Sequence, residues 1–254
     1  MVAVKVILVK LSSSQYSIKV LGTYQVAATY PLAPPSTLVG SLARSLNLLG
    51  LCGSGAGSWK DEVNDCINKV RSMMWKIRDS SALAQDGHAL ASKYPVTIRV
   101  LRGVLEEGRM PGSKDEFVKF MDAMVREFII SHPRFIIIVP RSDDYVKDLA
   151  KASWLIGRLG NSESYVSVSS VEVFETRDCD VDEVNVVVKF NPSYIVGGSY
   201  IVNKAVDEDG NEELLAFPVS SYQRGDVYYP SRVKVKDRVY CVDDKVFIPK
   251  GDWW

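Results

Sequence analysis

The sequence is poor in the residues that enzymes most often use for acid–base chemistry. Its 254 residues include two histidines, His88 and His132, which lie in separate segments of the chain. No G-x-S-x-G, H-E-x-x-H or G-K-[ST] motif occurs, so no nucleophile elbow, zinc-protease helix or P-loop is predicted. The sequence therefore offers few candidate catalytic residues, and no cofactor or metal is expected.

Closely spaced cysteines are absent as well. The four cysteines, Cys52, Cys66, Cys179 and Cys241, form no C-x-x-C pair, which argues against a zinc knuckle or a thioredoxin-like motif. Isolated cysteines in a chain of this size are typical of buried thiols in a reducing compartment. The expectation is a cytoplasmic protein with free cysteines.

The chain has no net charge, because 31 basic and 31 acidic residues cancel. The distribution is uneven: no Asp or Glu occurs from Met1 to Lys60, whereas residues 175–213 hold ten acidic residues against three basic ones. This asymmetry suggests a face for a polyanion in the amino-terminal part, although solvated faces alone would also produce it. The opening apolar run is interrupted by Lys5 and Lys10 and is far shorter than a membrane span, so no membrane partner is expected.

The segment Thr29–Leu42 reads T-Y-P-L-A-P-P-S-T-L-V-G-S-L. Its three prolines fix φ and keep the preceding residues extended, which predicts a stiff elbow. Ser36 or Thr37 is predicted to cap a helix that ends at Gly50, and Gly40 within it would let another backbone approach closely. A capped helix N-terminus offers N–H groups and a partial positive charge to a phosphate, but a helix that merely packs has the same pattern.

A second segment, Gly157–Val168, reads G-R-L-G-N-S-E-S-Y-V-S-V. It predicts the end of a helix, a glycine-rich turn and a strand that begins at Tyr165. Glycines allow backbone N–H groups to line a concavity, and Arg158 adds a charge-assisted donor for phosphate. Tyr165 offers a ring on which a base can stack. A helix end followed by a hairpin-like turn accounts for the same residues without a ligand.

Strands and helices alternate in the first two-thirds of the chain. The apolar periodicity predicts, in chain order, a strand over 2–11, the elbow helix, a helix over 59–77, a strand over 96–101, a helix over 113–129 ended by Pro133, a strand over 135–139, a helix from Ser142 or Asp143 to Gly157 or Gly160, and a strand over 165–174 with a bulge between Val168 and Val171. After about Arg177 only short strands and turns are predicted, which suggests a small β-rich second domain.

Together the elbow and the glycine-rich turn resemble CRISPR-associated protein five, a RAMP-superfamily subunit of type I Cascade surveillance complexes, and are most similar to its archaeal subtype I-A branch. The resemblance implies an α+β fold: a ferredoxin-like (RNA-recognition-type) domain over residues 1–176 with a hairpin thumb inserted at about 79–115. Residues 177–254 would form the small β-rich C-terminal domain.

The same resemblance implies a non-catalytic, RNA-binding subunit in antiviral defence. It would cap the five-prime handle of the crRNA, contact the neighbouring backbone subunit (CRISPR-associated protein seven) and the large subunit, and meet target DNA only indirectly. The positions that match the handle site are Tyr30, Pro34, Pro35, Ser36, Thr37 and Gly40 in the elbow and Gly157, Arg158, Gly160, Asn161 and Ser162 in the turn. Arg44 is added from its place one or two turns into the helix. The thumb would carry Lys93, Arg99, Arg102 and Arg109.

Two other functions remain open at this stage. One branch of the family (subtype I-C) cuts precursor crRNA with side chains that include histidine, so His88 or His132 would be the general acid or base of a RAMP endoribonuclease. Neither histidine lies in the elbow or the turn, which argues against cleavage. The glycines at 53, 55 and 57 suggest the phosphate loop of a metabolic enzyme, but they follow a helix and lack the strand–turn–helix setting of a dinucleotide fold.

Overall fold

The computed structural model of the chain describes residues 4–23, 26–52, 59–82, 90–100, 102–160, 164–222 and 226–251. Five helices lie in these residues: α1 (Pro35–Leu48), α2 (Trp59–Met73), α3 (Arg102–Glu107), α4 (Lys114–Phe120) and α5 (Asp143–Trp154). The strands before residue 176 are β1 (Lys5–Tyr16), β2 (Val26–Ala27), β3 (Met74–Ser80), β4 (Ala91–Val100), β5 (Asp122–Pro140) and β6 (Val166–Glu175). The later strands are β7 (Arg177–Asp178), β8 (Glu183–Val184), β9 (Val188–Lys189), β10 (Ile195–Gly198), β11 (Ile201–Val206), β12 (Glu212–Phe217), β13 (Val219–Tyr222), β14 (Val227–Pro230), β15 (Val233–Val235), β16 (Tyr240–Val242) and β17 (Val246–Ile248).

The main sheet has the strand order β13-β14-β4-β5-β1-β6, with β2 and β3 paired to β5. Strand β1 lies inside this sheet, between β5 and β6, and its side chains are buried on both faces. Ile7 and Val9 pack with the helices, whereas Val6 and Leu8 pack on the opposite face. This confirms the prediction of a doubly buried strand.

Strand β5 is 19 residues long and changes partner along its length. Its first part pairs with β4, from Asp122 to Ser131, and its second part pairs with β3 from Phe135 onward. Pro133 lies between these two pairings, where the register with β1 also shifts. A proline is tolerated at such a position because no ladder hydrogen bond needs its missing N–H.

The predicted helix over 113–129 is therefore only partly correct. Ser113 does cap α4 by accepting a hydrogen bond from the Glu116 N–H, but the helix ends at Phe120. The residues from Asp122 onward are strand, and Pro133 ends no helix. The predicted helix over 59–77 likewise stops at Met73, since β3 begins at Met74. Pairing with neighbouring strands has overridden the local helical pattern in both places.

Helices α1, α2 and α5 cover one face of the main sheet and enclose a core that includes Leu38, Leu42, Val70, Leu149 and Ile138. The start of α5 was predicted correctly, with Ser142 as its cap, although the helix ends at Trp154, before the two glycines. The bulge in β6 is confirmed as well, because the register with β1 passes from Ser170 to Val168 and leaves Ser169 out.

The other face of the main sheet is covered by the chain after residue 183. Val6, Leu8 and Ile137 share a core with side chains such as Val186 and Val233. Strands β7–β12 and β15–β17 form three small three-stranded sheets, while β13 and β14 extend the main sheet. The sheet of β9, β11 and β12 also contributes Ala205, Leu215 and Phe217 to the core on the helical side. The part beyond residue 176 is β-rich, as predicted, and shares both cores with the first part; the division into two domains stays a prediction.

A cluster of buried charges joins the two parts of the chain. The Arg78 guanidinium donates to the Glu208 carboxylate at 2.7 Å, and the Lys76 ammonium lies 2.5 Å from the same carboxylate. Burial works to raise the pKa of Glu208, but Arg78 and Lys76 outweigh it and hold that pKa below its ordinary value. The acidic turn that follows β11 is thereby fixed against β3.

The prediction of free thiols is wrong. Cys52 is bonded to Cys66, and Cys179 is bonded to Cys241. The first disulfide links the segment after α1 to α2, and the second links the segment after β7 to β16. The partners are 14 and 62 residues apart in sequence, so their pairing depends on the fold and has no local spacing signature.

Candidate functional site

Helix α1 begins differently from the prediction. Its cap is Pro34, Pro35 is the first helical residue, and no side chain caps the helix, so Ser36 and Thr37 are not caps. The Thr37 N–H donates to the Pro34 carbonyl at 3.0 Å. Because two prolines supply no N–H and Thr37 uses its own, the N-terminus of α1 offers few backbone donors to an anion, and the phosphate contact there stays a prediction.

The elbow itself is a buried support. Tyr30 is 2% exposed, stacks on Phe217 with ring centroids 5.5 Å apart, and donates its hydroxyl to the Lys204 carbonyl at 2.6 Å. Pro34 and Pro35 are buried too. These three predicted site residues therefore position α1 and present no side chain to a ligand.

A buried ion pair fixes the elbow from the interior of the protein. The Asp79 carboxylate accepts the Ala33 N–H at 2.7 Å and lies 3.0 Å from the Arg134 guanidinium. Arg134 also donates to the Tyr16 hydroxyl and lies over its ring. Burial raises the pKa of Asp79, with Arg134 and two backbone N–H groups opposing that rise. The elbow is thus tied to β1, β3 and β5 at once.

The two predicted segments meet in space. One face of α1, with Thr37, Gly40, Ser41 and Arg44, faces Arg158 and Gly160 across a cavity of about 470 Å³. These α1 positions are spaced i, i+3, i+4 and i+7, which places them on one side of a helix. We call this cavity the cradle. The residues that line it include Arg44 and Arg158 and no acidic residue, so its net charge is positive.

The glycine-rich turn is joined to α1 by a direct hydrogen bond. The Ser41 hydroxyl donates to the Arg158 carbonyl at 2.9 Å. Gly160 has φ +89°, and a Cβ there would lie 2.7 Å from the Ile18 side chain and 3.0 Å from the Ser17 carbonyl. Only glycine fits both this conformation and this contact. The turn is therefore held by α1 on one side and by residues 17–18 on the other.

Arg158 is oriented by Tyr165. Its guanidinium lies 5.0 Å from the centroid of the Tyr165 ring and donates to the Tyr165 hydroxyl at 3.2 Å. The Tyr165 ring is 58% exposed. Arg44 is exposed and has no ionic or hydrogen-bonding partner within the described part of the chain. The cradle thus offers two guanidinium groups and, next to one of them, an aromatic ring, which are the groups that bind phosphates and stack on bases.

Gly40 is the unusual residue of the cradle. It lies in the middle of α1, is exposed, and an added Cβ would meet no protein atom within 4 Å. No backbone of the described residues therefore makes the close approach that Gly40 would allow. A glycine in a helix interior costs about 1 kcal/mol relative to alanine, and none of the described contacts requires a glycine here.

The other predicted residues of the glycine-rich turn are placed only in part. Gly157 is exposed at the edge of the turn, next to the cradle. Asn161 and Ser162, like His88 and the glycines at 53, 55 and 57, lie outside the described residues. Ser41 was not predicted, although its spacing of four residues from Thr37 on the same helix face was a usable signal.

The predicted thumb residues lie on or near a long hairpin. Strands β4 and β5 pair without a break from Ala91–Ser131 to Val100–Asp122, and α3 and α4 lie at the tip; we call residues 91–131 the arm. Lys93 is paired with Glu127 at 3.0 Å, and Arg109 is paired with Glu107 and Glu116. These two cations are already neutralised within the arm. The side chains of Arg99 and Arg102 lie outside what the structure describes.

The described residues contain no group of three or more His, Cys, Asp or Glu side chains placed to hold a metal ion. No helix among them is sufficiently long and apolar to cross a membrane.

Comparison with known proteins gives the family. No family model matches the sequence. The CRISPR-associated protein Cas5 of Thermoproteus tenax is 33% identical over 247 residues, which cover 97% of this chain and 98% of the relative. The crystal structure of a CRISPR protein from Archaeoglobus fulgidus has the same mixed α/β fold, with a TM-score of 0.50, 14% identity, and coverage of 98% of this chain and 100% of that chain. A chain of a CRISPR RNA-guided surveillance complex gives a TM-score of 0.44 and 14% identity, with coverage of 99% and 95%. Since a third of the residues are identical to the curated relative over nearly the whole of both chains, this chain belongs to the CRISPR-associated protein Cas5 family.

Proposed function

We propose that the chain is a non-catalytic subunit of a type I-A CRISPR surveillance complex and that the cradle binds the five-prime handle of the crRNA. The main support for this proposal is Gly40. This glycine weakens the helix, no protein atom lies within 4 Å of where its Cβ would be, and it lines the same cavity as Arg44 and Arg158. A phosphate or ribose close to the α1 backbone at this point explains why a side chain is absent.

The topology supports a ferredoxin-like interpretation of the first part. The order β1, α1 and α2, β3, β5, α5, β6 is a β-α-β-β-α-β arrangement, with strands in the order β3-β5-β1-β6. In RNA-recognition domains the open sheet face stacks bases. Here that face is covered by Val186, Val233 and their neighbours, so the RNA is assigned to the helical side, where the cradle lies.

Binding of the handle is tested with the full chain and a single-stranded RNA that carries the handle sequence. In a filter-binding titration over a range of salt concentrations, Arg158→Ala and Arg44→Ala should each weaken binding and reduce the salt slope by about 0.7, the value for one phosphate contact on a single strand. Arg238→Ala, an exposed arginine paired with Asp180 in the C-terminal part, is the matched control and should change neither. Unchanged affinity and slope in both cradle variants would refute the proposal.

The arm is proposed as the thumb that contacts the backbone subunit. Its tip exposes Met110, Phe117 and Val118, which suits a protein contact better than a nucleic-acid contact. Cleavage is tested separately by incubating the chain with labelled repeat RNA in EDTA. Specific products that disappear in His132→Ala would favour the endoribonuclease instead.

A further inference from the structure

Strand β6 forms an outer edge of the main sheet, and no described strand pairs with its free side. Hydrogen-bonded pairs alternate along an antiparallel ladder. The Thr176 N–H donates to the Val4 carbonyl at 2.9 Å, and the register continues from Lys5–Glu175 to Ile7–Val173. The backbone N–H and C=O groups of Glu175, Val173 and Val171 therefore point away from β1, toward the open edge.

A groove runs beside this edge. It has a volume of about 510 Å³ and lies between α5 and β6. Its floor is apolar, formed by Val146, Ala150, Trp154 and Val173. Trp154 is 51% exposed and Val173 is 47% exposed. Because both line the same groove, they form part of an exposed apolar patch, which is more informative than a single exposed apolar side chain.

The rim of the groove is basic. Lys147 and Lys151 line it from α5, one helical turn apart, and neither has an ionic partner within the described part of the chain. The ion pair of Lys5 with Asp143 closes one end. An occupant with acidic side chains would complement the two free lysines.

We propose that this groove and the free edge of β6 together dock an extended segment of a partner protein. The segment adds a strand to β6, so that its backbone bonds to the outward groups of Val171, Val173 and Glu175. Its side chains on the α5 face combine apolar groups, which cover Trp154 and Val173, with acidic groups that meet Lys147 and Lys151. Main-chain pairing supplies affinity and the groove supplies specificity.

A second copy of the chain is a poorer occupant. Antiparallel pairing of two β6 edges would place both α5 helices on the same face of the joined sheet. The lysines of the two copies would then lie close together, and their like charges would repel each other. The bulge at Ser169 and the exposed Glu172 and Glu175 restrict the open edge to a short stretch, as edge strands that avoid self-association do.

The test uses the full chain and two fluorescein-labelled peptides, acetyl-Thr-Val-Thr-Glu-Thr-Val-Thr-amide and the same peptide with Lys in place of Glu. In a fluorescence anisotropy titration the Glu peptide should bind at least about tenfold more tightly. The double variant Lys147→Glu/Lys151→Glu should reverse the preference. Val173→Pro removes an outward N–H without touching the ladder with β1 and should abolish binding of both peptides.

Two further forms of the Glu peptide keep the test independent of how the variants fold: one is N-methylated at the odd-numbered amides and the other at the even-numbered amides. Because only alternate N–H groups of an added strand face β6, one form should lose binding and the other should keep it. Equal binding of the Glu and Lys peptides, equal binding of both N-methylated forms, or no binding at about 1 mM peptide would overturn the proposal. Concentration-dependent dimers in light scattering that Val173→Pro abolishes would assign the edge to a second copy instead.

Discussion

Two glycines of the cradle are constrained in opposite ways. Gly160 is fixed by the protein, because its positive φ and its contact with Ile18 exclude any side chain. Gly40 has normal helical geometry and open space, so the fold would accept alanine. A residue that the fold does not require but that lies between two arginines is the best single-residue indication of a ligand.

Gly40→Ala should therefore separate stability from binding. The free energy of unfolding in urea should rise by about 1 kcal/mol, because alanine is the better helix former. Affinity for handle RNA should fall at least about tenfold, because the new methyl group occupies the cradle. Asn47→Ala, on an exposed position of the same helix, should leave RNA affinity unchanged. A Gly40→Ala protein with normal RNA affinity would remove the main support for the cradle.

A second residue-level prediction concerns pH. Arg78 and Lys76 hold the pKa of Glu208 in the folded protein below its unfolded value of about 4.5. The ionised carboxylate therefore stabilises the fold at pH values above 4.5. This stabilisation is lost as the pH falls through the folded pKa. Glu208→Gln should cost on the order of 3 kcal/mol at pH 7, since it leaves two cations without their anion. The deficit should shrink toward pH 3 in guanidinium titrations.

The control for Glu208 is Glu212, whose pair with Lys204 is exposed. Glu212→Gln should cost less than about 1 kcal/mol at either pH. A Glu208→Gln deficit that stays constant from pH 7 to pH 3 would show that the ion pair is not its cause.

At the level of elements, the sequence correctly predicts that α1, α5, β1 and β6 exist and of which type they are, although not all of their ends, because each has a clear apolar pattern. The arm is different. Phe120, Val125 and Phe128 fit a helical stripe, but they are also good strand formers, and pairing of β5 with β4 decides between the two. That pairing joins residues about thirty positions apart, which no local window of sequence contains.

The same limit applies to the site. The sequence indicates both segments of the cradle because proline, glycine and arginine have strong local effects. It does not show that Tyr30 points into the core toward Phe217, because that partner lies in another part of the chain. Nor does local periodicity reveal that Pro34 replaces Ser36 as the helix cap.

Reduction should destabilise the α1–α2 connection. The Cys52–Cys66 disulfide closes a loop of 14 residues, and a loop of this size is worth about 3 kcal/mol through the entropy of the unfolded chain. Dithiothreitol should therefore lower the melting temperature of the protein. The Cys52→Ser/Cys66→Ser variant should start lower and show a smaller further drop, which would reflect the Cys179–Cys241 bond alone. An identical response to dithiothreitol in both proteins would contradict a disulfide at Cys52.

On the scale of the whole molecule, the central part of the main sheet is covered on both faces. Helices α1, α2 and α5 pack on one face, and the chain after residue 183 covers the other and contributes residues such as Leu215 and Phe217 to the helical side. The pattern of short strands after Arg177 predicts a separate C-terminal domain, and this division stays a prediction. Because both cores contain residues of both parts, we expect the two parts to depend on each other for burial of apolar surface.

A chain that ends at Thr176 should consequently fail to fold stably. It would expose Val6, Leu8, Phe135, Ile137 and Val139 together, an apolar surface that promotes aggregation. We expect strong binding of the dye ANS and loss of the cooperative thermal transition in circular dichroism. Co-expression with residues 177–254 as a second chain should restore both properties. A monomeric, cooperatively melting fragment of residues 1–176 would instead show an independent domain.

Strand β5 has one more consequence for the molecule as an assembly. It runs from the tip of the arm through the sheet and ends three residues before α5, the helix whose far end leads into the turn with Arg158. In the proposed assembly, a neighbouring subunit at the tip and the guide RNA at Arg158 would contact opposite ends of the continuous path formed by β5 and α5. A displacement of the tip would then alter the position of Arg158, so assembly with the neighbour and retention of the guide would be coupled through this path.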